Sequence, residues 1–285
     1  MTIPADNVSI RSFISFLVYS NLIIAISVSS ATLLAFFLLQ YPVIWEVMLV
    51  VFSGTLSIYT LNRFTDIQED SINLPGRVEF IRKYGKIILL IAILLYTGSL
   101  VMVALHSAMA GIVALLPPAI AVLYSCFRLK RFFLVKNILI SAGFVCSVLI
   151  VGAYYHEFSI SIALLTVLLF TAGFVNSIIF DIKDLQGDKL CNIQTFPAKY
   201  GFRKTKYYCY LLLLPVFLIT FYFIMNHIRS AILLPFLGYI ASYTYFLKDT
   251  EQYPDWYFGL YVDGEYIVLL FFIIIFSLAG VFTLP

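Results

Sequence analysis

Two acidic clusters stand out in this apolar chain, each where a long hydrophobic run meets a basic stretch: Asn62, Asp66 and Asp70 in the first, and Asp181, Asp184 and Asp188 in the second. Within each cluster the residues are three or four positions apart, so on an α-helix their side chains project from one stripe. Mg²⁺ prefers oxygen ligands from carboxylates, waters and substrate phosphates. Two facing stripes could therefore hold Mg²⁺ against a diphosphate and neutralise its charge as it leaves an allylic carbon.

These acids also have a plainer interpretation, as solvated loop residues that pair with neighbouring Lys and Arg. The functional interpretation is favoured because acids are scarce, at 15 Asp and Glu in 285 residues, and because both clusters end apolar runs on the same predicted membrane face. A charged group at the edge of a membrane span is costly, so a function is its best explanation.

The composition indicates a protein embedded in a lipid bilayer. The chain is 62% hydrophobic and 12% charged, whereas soluble domains carry about 25% charged residues. Its mean hydropathy is +1.00. These values exclude an ordinary soluble domain and predict a multi-pass membrane protein, for which we expect no nucleic-acid partner.

The apolar runs predict how many helices cross the membrane. A run of about 20 residues spans a hydrocarbon core about 30 Å thick, because an α-helix rises about 1.5 Å per residue. Nine runs are candidates: 13–39, 43–62, 87–105, 108–126, 134–153, 159–180, 207–225, 230–247 and 260–283. We therefore expect an all-α protein, a single domain over residues 1–285, with nine transmembrane helices around a central apolar cavity that opens sideways to lipid.

The basic residues predict the orientation of these helices. All of the 18 Lys and Arg residues except Arg229 fall on one side of the nine-helix arrangement. Cytoplasmic loops carry the excess of Lys and Arg, so this side is predicted to be cytoplasmic, with the N-terminus inside and the C-terminus outside. The acidic clusters would face the cytoplasm, in what we expect to be a bacterial or archaeal cell membrane.

The long loops around the acidic clusters are expected to be partly helical. Residues 63–72 continue the helical pattern until Pro75-Gly76 stops it. Residues 77–86 are then expected to form a short basic helix over the mouth of the bundle. The loop after the second cluster has a similar pattern, with Gly187 after an acidic helix end. Together the two loops would form a cytoplasmic cap that excludes water.

In these motifs the sequence resembles the UbiA superfamily of intramembrane prenyltransferases. That family carries an NxxxDxxxD motif after its second helix and a DxxxD or DxxDxxxD motif after its sixth, and the two acidic clusters of this chain are similar to them. The resemblance covers nearly the whole chain. It includes further residues around the end of the fourth helix and after the second motif: Tyr124, Ser125, Leu129, Lys130, Arg131, Lys136, Asn137, Gly187, Thr195, Pro197 and Gly201.

The resemblance implies a Mg²⁺-dependent enzyme that ionises a polyprenyl diphosphate and passes the prenyl group to a small hydrophobic acceptor. It implies one metal-binding wall with Asn62, Asp66 and Asp70, and a second with Asp181, Asp184 and Asp188. Of these acids, the predicted catalytic residues are Asp66, Asp70, Asp181 and Asp184. The predicted contacts to the diphosphate, which needs basic groups once drawn out of water, are Asn62, Arg77, Lys130 and Arg131.

Two departures from the family pattern leave other functions open. Many members have Asn-Asp where this chain has Asn62-Arg63, and Phe180 precedes the second motif where relatives often have a polar residue. A terpene cyclase of the same superfamily would use the same acids but quench the cation within its own chain. A non-catalytic transporter of lipid or small molecules is a further alternative, although it would need charges at mid-membrane.

Three other polar residues have weaker interpretations. Asp263 and Glu265 are expected at the cytoplasmic start of the ninth run, where acids favour a solvated helix N-terminus. A base that activates the acceptor is the alternative role for them. Asn176 is expected within a span, either in a contact between helices or in the lining of the cavity.

Overall fold

The structure is a computed structural model that describes residues 5–126, 132–190, 192–226, 233–248, 253 and 256–278. Every regular element in these ranges is helical, which confirms the predicted all-α class for this part of the chain. The helices are α1 (Ala5–Tyr19), α2 (Leu22–Leu39), α3 (Trp45–Thr65), α4 (Ile67–Asn73), α5 (Pro75–His106), α6 (Ala108–Cys126), α7 (Val135–Tyr154), α8 (Ile160–Lys183), α9 (Leu185–Leu190), α10 (Phe196–Asn226), α11 (Leu233–Phe246), a π-helix (Tyr257–Val262) and α12 (Glu265–Leu278).

The long helices form a ring that closes on itself. Helix α2 packs on α3, α3 on both α5 and α6, α6 on α7, α7 on α8, and α8 on α10. The ring continues through α11 and α12, and α12 returns to pack against α2. Large side chains such as Phe36, Leu168 and Phe236 are fully buried between these helices. The ring encloses an interior cavity.

Six helices are long and apolar enough to cross a membrane: α2, α3, α5, α7, α8 and α10. Each of the nine predicted runs overlaps a helix, but three of these helices do not meet this criterion in the described residues. The apolar stretch counted in α6 is only Ala108–Leu123, and α11 and α12 have 14 residues each. Nine crossings therefore stay a prediction. The outer faces of α5 and α10 expose large apolar side chains, such as Leu94 and Leu218, as expected of surfaces that contact lipid.

The first predicted run, 13–39, is not one helix, which corrects that prediction. Helix α1 ends and α2 begins around Asn21, whose backbone is left-handed with φ of 62°. Asparagine adopts this conformation more readily than most residues. Asn21 Nδ2 also donates a hydrogen bond to Thr60 Oγ1 at 3.3 Å. Apolar character alone does not predict such a break in the helix, because hydrophobic residues continue on both sides of Asn21.

The prediction of a separate basic helix at 77–86 is also wrong, since these residues form part of the start of α5. Pro75 begins this helix instead of ending the one before it. Proline is favoured at the first helical position, where its missing N–H would have no partner within the helix. Arg77 therefore lies in the first turn of a long helix, whose packing against α3 fixes its position.

Candidate active site

The two acidic clusters share one backbone design, in which a long helix is followed at once by a short one. Asp66 joins α3 to α4 with φ −103° and ψ 17°, and Asp184 joins α8 to α9 with φ −87° and ψ 5°. The hydrogen bonding of an α-helix continues through both junctions. Asp66 N–H donates to Asn62 O and Asp184 N–H donates to Phe180 O, each at 2.9 Å.

The second acid of each pair lies one helical turn further along. Asp70 N–H donates to Asp66 O, and Asp188 N–H donates to Asp184 O, again at 2.9 Å. The number of residues from Asp66 to Asp184 equals the number from Asp70 to Asp188. The two junctions therefore share the same spacing of their acids and the same backbone hydrogen bonding.

Contacts between the two short helices bring the junctions together. Asn73, the last residue of α4, accepts a hydrogen bond from Gly187 N–H at 3.2 Å. Its Nδ2 donates to Asp184 O at 3.5 Å. A Cβ atom at Gly187 would approach the Asn73 amide to between 2.5 and 3.0 Å, so glycine is needed for this close contact. The link joins α4 directly to α9.

A cavity of about 210 Å³ opens beside these junctions. All of the predicted metal ligands except Asp181 line its polar end: Asn62, Asp66, Asp70, Asp184 and Asp188. The same end is lined by four basic side chains: Arg63, Arg77, Lys136 and Lys183. Charges of both signs gathered at one end of a buried cavity suit an anionic ligand that binds together with a cation.

Asp70 is held between two arginines. Arg63 Nη1 lies 3.4 Å from Asp70 Oδ2, and Arg77 Nη2 pairs with Asp70 Oδ1. Burial alone would raise the pKa of the Asp70 carboxyl, but the positive charges of Arg63 and Arg77 outweigh burial and lower it. Asp70 therefore stays ionised and orients both guanidinium groups at the cavity.

Asp181 is the one predicted metal ligand that the structure does not bring to the cavity. It is 0% exposed, and its Oδ1 lies 2.7 Å from Lys136 Nζ. Its Oδ2 accepts a hydrogen bond from Asn137 Nδ2 at 3.0 Å. Lys136 Nζ in turn lies 3.6 Å from Asp188 Oδ2. Asp181 faces α7 because that helix packs against α8, and it holds Lys136 at the cavity wall.

The Asp188 carboxyl is less acidic than an ordinary aspartate. Burial raises the pKa of Asp188 to about 7, with the positive charge of Lys136 opposing the rise and the negative charges of Asp181 and Asp184 adding to it. A bound cation would favour the ionised form of the carboxyl. Cation binding at this position is therefore expected to release a proton.

The donor atoms at the polar end fit a hard divalent cation, because carboxylate and amide oxygens predominate there. Oδ1 of Asp184 is buried without a hydrogen-bond partner in the described structure, a costly state that a bound cation would relieve. Within the described residues, no three His, Cys, Asp or Glu side chains gather closely enough to hold a metal by themselves. Phosphate oxygens and waters would have to complete the coordination, as is usual for Mg²⁺.

The cavity also contains residues that were not among the predicted site residues. Lys136 and Lys183 line its polar end, and Asn73 lines it beside the junctions. Lys183 Nζ lies 5.7 Å from the centre of the Phe180 ring and 5.3 Å from that of Phe258. The only sequence signal for Lys183 and Asn73 was their place within or just after the acidic motifs. Lys136 lies in the first turn of α7, far from both motifs in the sequence. The family resemblance includes it, but only the tertiary structure reveals its contacts.

Asp263 and Glu265 are not the solvated helix start that the sequence favoured. Glu265 is 1% exposed and accepts a hydrogen bond from Tyr243 OH at 2.8 Å. Asp263 and Asn176 both line the cavity, and Asn176 Nδ2 donates to Val262 O at 3.4 Å. These acids follow a π-helix, an element frequent at functional sites. Asp263 and Asn176 therefore form a third wall of the site, whereas Glu265 is buried behind it.

Asp263 also has a perturbed acidity. Burial raises the pKa of its carboxyl to about 7, although the positive charges of Lys183, Arg63 and Arg77 act in the opposite direction. The negative charge of Asp184 adds to the rise. A carboxyl of this kind can accept a proton near neutral pH.

The inner end of the cavity is apolar. It is lined by side chains from α2, α6 and α7, including Ile24, Val28, Ile120, Leu139 and Phe144. A smaller cavity of about 40 Å³ continues from it and shares four lining residues: Val28, Thr55, Pro117 and Gly143. The combined space is polar at one end and apolar at the other, which suits an amphiphilic ligand with a charged head and a hydrocarbon tail.

Two predicted contacts to the diphosphate, Lys130 and Arg131, lie outside the described residues. Their assignment stays a prediction that rests on the sequence resemblance.

Comparison with solved structures shows a shared fold. A UbiA homologue from Archaeoglobus fulgidus bound to GPP and Mg²⁺ is 17% identical, with a TM-score of 0.65, over 90% of this chain and 99% of that chain. The same homologue bound to DMAPP and Mg²⁺ gives 16% identity and a TM-score of 0.64, over 90% and 98% of the two chains. A structure of digeranylgeranylglyceryl phosphate synthase is 17% identical, with a TM-score of 0.57, over 93% and 98%.

A comparison with curated proteins finds no significant sequence match. The sequence profile of the UbiA prenyltransferase family, in contrast, matches residues 22–262, a stretch that contains both acidic junctions and all of the cavity-lining residues except Val18, Asn21 and Asp263. With most of its length matched by that profile, this chain belongs to the UbiA prenyltransferase family.

Proposed function

We propose that the protein is a Mg²⁺-dependent intramembrane prenyltransferase that moves the prenyl group of a polyprenyl diphosphate to a small hydrophobic acceptor. The observation that carries this proposal is the larger cavity, which has both acidic junctions and four basic side chains at one end and an apolar wall at the other. The Archaeoglobus fulgidus homologue binds GPP or DMAPP with Mg²⁺, and these ligands combine a charged head with an apolar tail.

The acids divide into two roles in this proposal. Mg²⁺ would be held by the oxygen-bearing side chains that line the cavity: Asn62, Asp66, Asp184 and Asp188. Oδ1 of Asp184 is the most available of these atoms, because it has no hydrogen-bond partner in the described structure. When bound, the metal would neutralise negative charge on the diphosphate. Asp70 and Asp181 are assigned to positioning instead, because their carboxylates already bind Arg63, Arg77 and Lys136.

The basic side chains bind and orient the diphosphate. The Nε atoms of Arg63 and Arg77 are buried without hydrogen-bond partners in the described part of the chain. An anion at the cavity would satisfy these donors, and guanidinium groups bind phosphate oxygens with defined geometry. Lys136 and Lys183 add positive charge from α7 and α8. Together they stabilise the charge that develops on the diphosphate as its bond to the allylic carbon breaks.

The apolar wall protects the allylic cation. Aromatic side chains such as Tyr59 and Phe180 line the cavity close to its polar end, where their ring faces can stabilise positive charge. The surrounding apolar residues exclude water, which would otherwise quench the cation before the acceptor reaches it.

Transfer to the acceptor also releases a proton. As the allylic carbon bonds to an oxygen or ring carbon of the acceptor, the hydrogen on that atom leaves as a proton. We assign Asp263 as its acceptor, because this carboxylate lines the cavity from the third wall and its raised pKa suits proton transfer near neutral pH.

A turnover assay tests the function directly. Purified protein is incubated with Mg²⁺ and geranyl, farnesyl or geranylgeranyl diphosphate, with and without a lipid extract of the host, and diphosphate release and products are measured. Release that depends on the extract, with a prenylated product, is expected. Chelation with EDTA should stop the reaction, and excess Mg²⁺ should restore it.

The remaining outcomes separate the alternative functions. Release without extract, together with a cyclic or hydroxylated hydrocarbon, would indicate a terpene cyclase. No release with any donor in either condition would contradict an enzyme and favour a lipid or small-molecule transporter.

A further inference from the structure

The third wall of the site contains a tight backbone turn. Asp263 and Gly264 form this turn between the π-helix and α12. Asp263 N–H donates to Phe258 O at 2.9 Å, and Gly264 N–H donates to Leu260 O at 3.0 Å. A Cβ atom at position 264 would clash with Leu260 O, so glycine is needed for this close approach of the backbone. Because Asp263 lies in the turn, the position of the turn decides where its carboxylate lies in the cavity.

The end of the π-helix just before this turn is held by side chains from two other helices. The last carbonyls of a helix have no partner within it, so groups from outside must donate to them. Tyr239 OH of α11 donates to Tyr261 O at 2.6 Å, and Asn176 Nδ2 of α8 donates to Val262 O at 3.4 Å. The carbonyls of the two residues directly before Asp263 are therefore bound from outside the π-helix.

Further contacts join α11 to the π-helix. Ser242 Oγ and Tyr261 OH lie 2.6 Å apart, and Tyr257 OH donates to Tyr243 O at 2.7 Å. The rings of Tyr239 and Tyr261 pack edge to face, with their centroids 5.0 Å apart. Helix α11 thus holds the π-helix both at its first residue and near its last.

The chain after the turn is bound to the same helix. Glu265, the first residue of α12, accepts a hydrogen bond from Tyr243 OH at 2.8 Å. Helix α11 therefore binds the chain on both sides of Asp263, through Tyr239 before the turn and through Tyr243 after it. This arrangement restrains the turn more strongly than the backbone bonds within it could do alone.

The two tyrosines act on the site only indirectly. Asp263 lines the cavity, whereas Tyr239 and Tyr243 do not. Any effect of their hydroxyl groups on the chemistry must therefore pass through the turn. Such an effect can be large, because a displacement of about 1 Å at a reacting group can lower a rate about 10²-fold.

We propose that Tyr239 is a positioning residue, which holds the Tyr261 carbonyl and so fixes the Asp263 carboxylate where it can take the proton of the prenyl acceptor. This inference rests on the proposed function. In that reaction the diphosphate leaves with the electron pair of its bond to the allylic carbon, an electron pair of the acceptor forms the new bond, and the acceptor's proton passes to Asp263. When the carboxylate is displaced, water competes for the allylic cation and a prenyl alcohol forms.

Removing the Tyr239 hydroxyl tests this role. Tyr239→Phe keeps the ring that packs on Tyr261 but deletes the hydrogen bond to its carbonyl. With Mg²⁺, a donor that wild type turns over and the host lipid extract, the yield of prenylated product per diphosphate released should fall about tenfold, with prenyl alcohol in its place. The KM for the donor and the rate of diphosphate release should stay at wild-type values. Tyr245→Phe, at an exposed position of the same helix, is the matched control.

A double substitution tests whether Tyr239 acts through Asp263. Asp263→Asn alone should lower the yield of prenylated product, because the group that accepts the proton is lost. Adding Tyr239→Phe to this variant should lower the yield no further, since residues that act as one unit give non-additive effects. Losses that multiply in the double variant would show that Tyr239 acts on another part of the protein, and would overturn the inference.

The remaining outcomes separate this inference from the function on which it rests. A wild-type yield in Tyr239→Phe would overturn the inference, and a lower Tm with that yield would reduce Tyr239 to a structural role. A wild-type yield in Asp263→Asn would refute Asp263 as the proton acceptor and the inference with it. If wild type forms no prenylated product with any donor, the proposed function itself fails.

Discussion

At the scale of single residues, each junction has a basic side chain beside its second acid, Asp70 or Asp188. The residue that provides or holds this basic group is an arginine in one motif and an aspartate in the other. Arg63 and Asp181 precede Asp70 and Asp188, respectively, by the same number of residues. In the first half, Arg63 pairs directly with Asp70. In the second half, Asp181 binds Lys136, which lies 3.6 Å from Asp188. The departure from the family motif at Arg63 therefore preserves a cation beside each distal acid.

The acids at the two junctions are expected to be essential for turnover. Asp66→Asn and Asp184→Asn keep the size of each side chain but remove a negative charge that would bind the metal. Diphosphate release should fall by about 10²-fold or more, the typical loss when an electrostatic contact to the transition state is removed. Glu79→Gln, an exposed acid on α5, is the matched control. Near wild-type release from both junction variants would refute the metal assignment.

Lys136 is expected to matter for stability as well as for activity. Lys136→Met leaves Asp181 buried without its cation, and breaking a buried ion pair in this way typically costs about 3–5 kcal/mol. Thermal unfolding in detergent should show a clear decrease in Tm. Adding Asp181→Asn should recover part of the loss, because the unpaired charge is removed. A Tm equal to that of the exposed control Lys189→Met would argue against a structural ion pair.

Asp263 predicts a specific pH dependence. Its raised pKa means that the carboxyl is protonated below about pH 7 and cannot accept a proton there. The yield of prenylated product per diphosphate released should therefore rise as pH increases through about 7. In Asp263→Asn this rise should disappear while release itself continues. The charged groups that act on Asp263, which are Lys183, Arg63, Arg77 and Asp184, remain in the variant, so a rise that persists would assign the proton to another group.

At the scale of helices, the contact between α4 and α9 joins the two halves of the site. Gly187→Ala should separate them, since the new methyl group would overlap the Asn73 amide, with a cost of about 1–3 kcal/mol for overpacking. We expect lower turnover and a lower Tm. Gly98→Ala, which would meet no atom within 4 Å, should be neutral or slightly stabilising. Equal effects of the two changes would argue against a role for this contact.

Sequence periodicity locates the helices but not their ends. The run 13–39 is interrupted at Asn21 by one left-handed residue, and the stretch 77–86 joins the apolar run that follows it into one helix, α5. Both errors arise because hydrophobicity reports burial or lipid contact, whereas a helix end depends on the backbone conformation of a single residue. The second error matters for the site, because in the structure Arg77 lies on the long helix α5 and not on a separate short helix.

At the scale of the whole molecule, the closed ring places both acidic junctions at one end. The predicted orientation puts this end in the cytoplasm. A cysteine introduced by Ser71→Cys, at an exposed position of α4, should react with a membrane-impermeant thiol reagent only in inside-out vesicles or opened cells. Labelling of intact cells from outside would overturn the orientation. The four native cysteines are replaced by alanine in both the variant and its parent.

The sequence by itself determined the membrane class, the helical fold and the two acidic motifs, because composition and helical spacing are local properties of the chain. It also identified Asn62, Asp66, Asp70, Asp184 and Asp188, which line one cavity. Only the tertiary structure decided that Asp181 faces α7, that Lys136 lies between Asp181 and Asp188, and that Asp263 lines the third wall. These roles depend on which helices pack together. Helix packing brings together residues that are far apart in the sequence, and the periodicity within each helix does not predict those contacts.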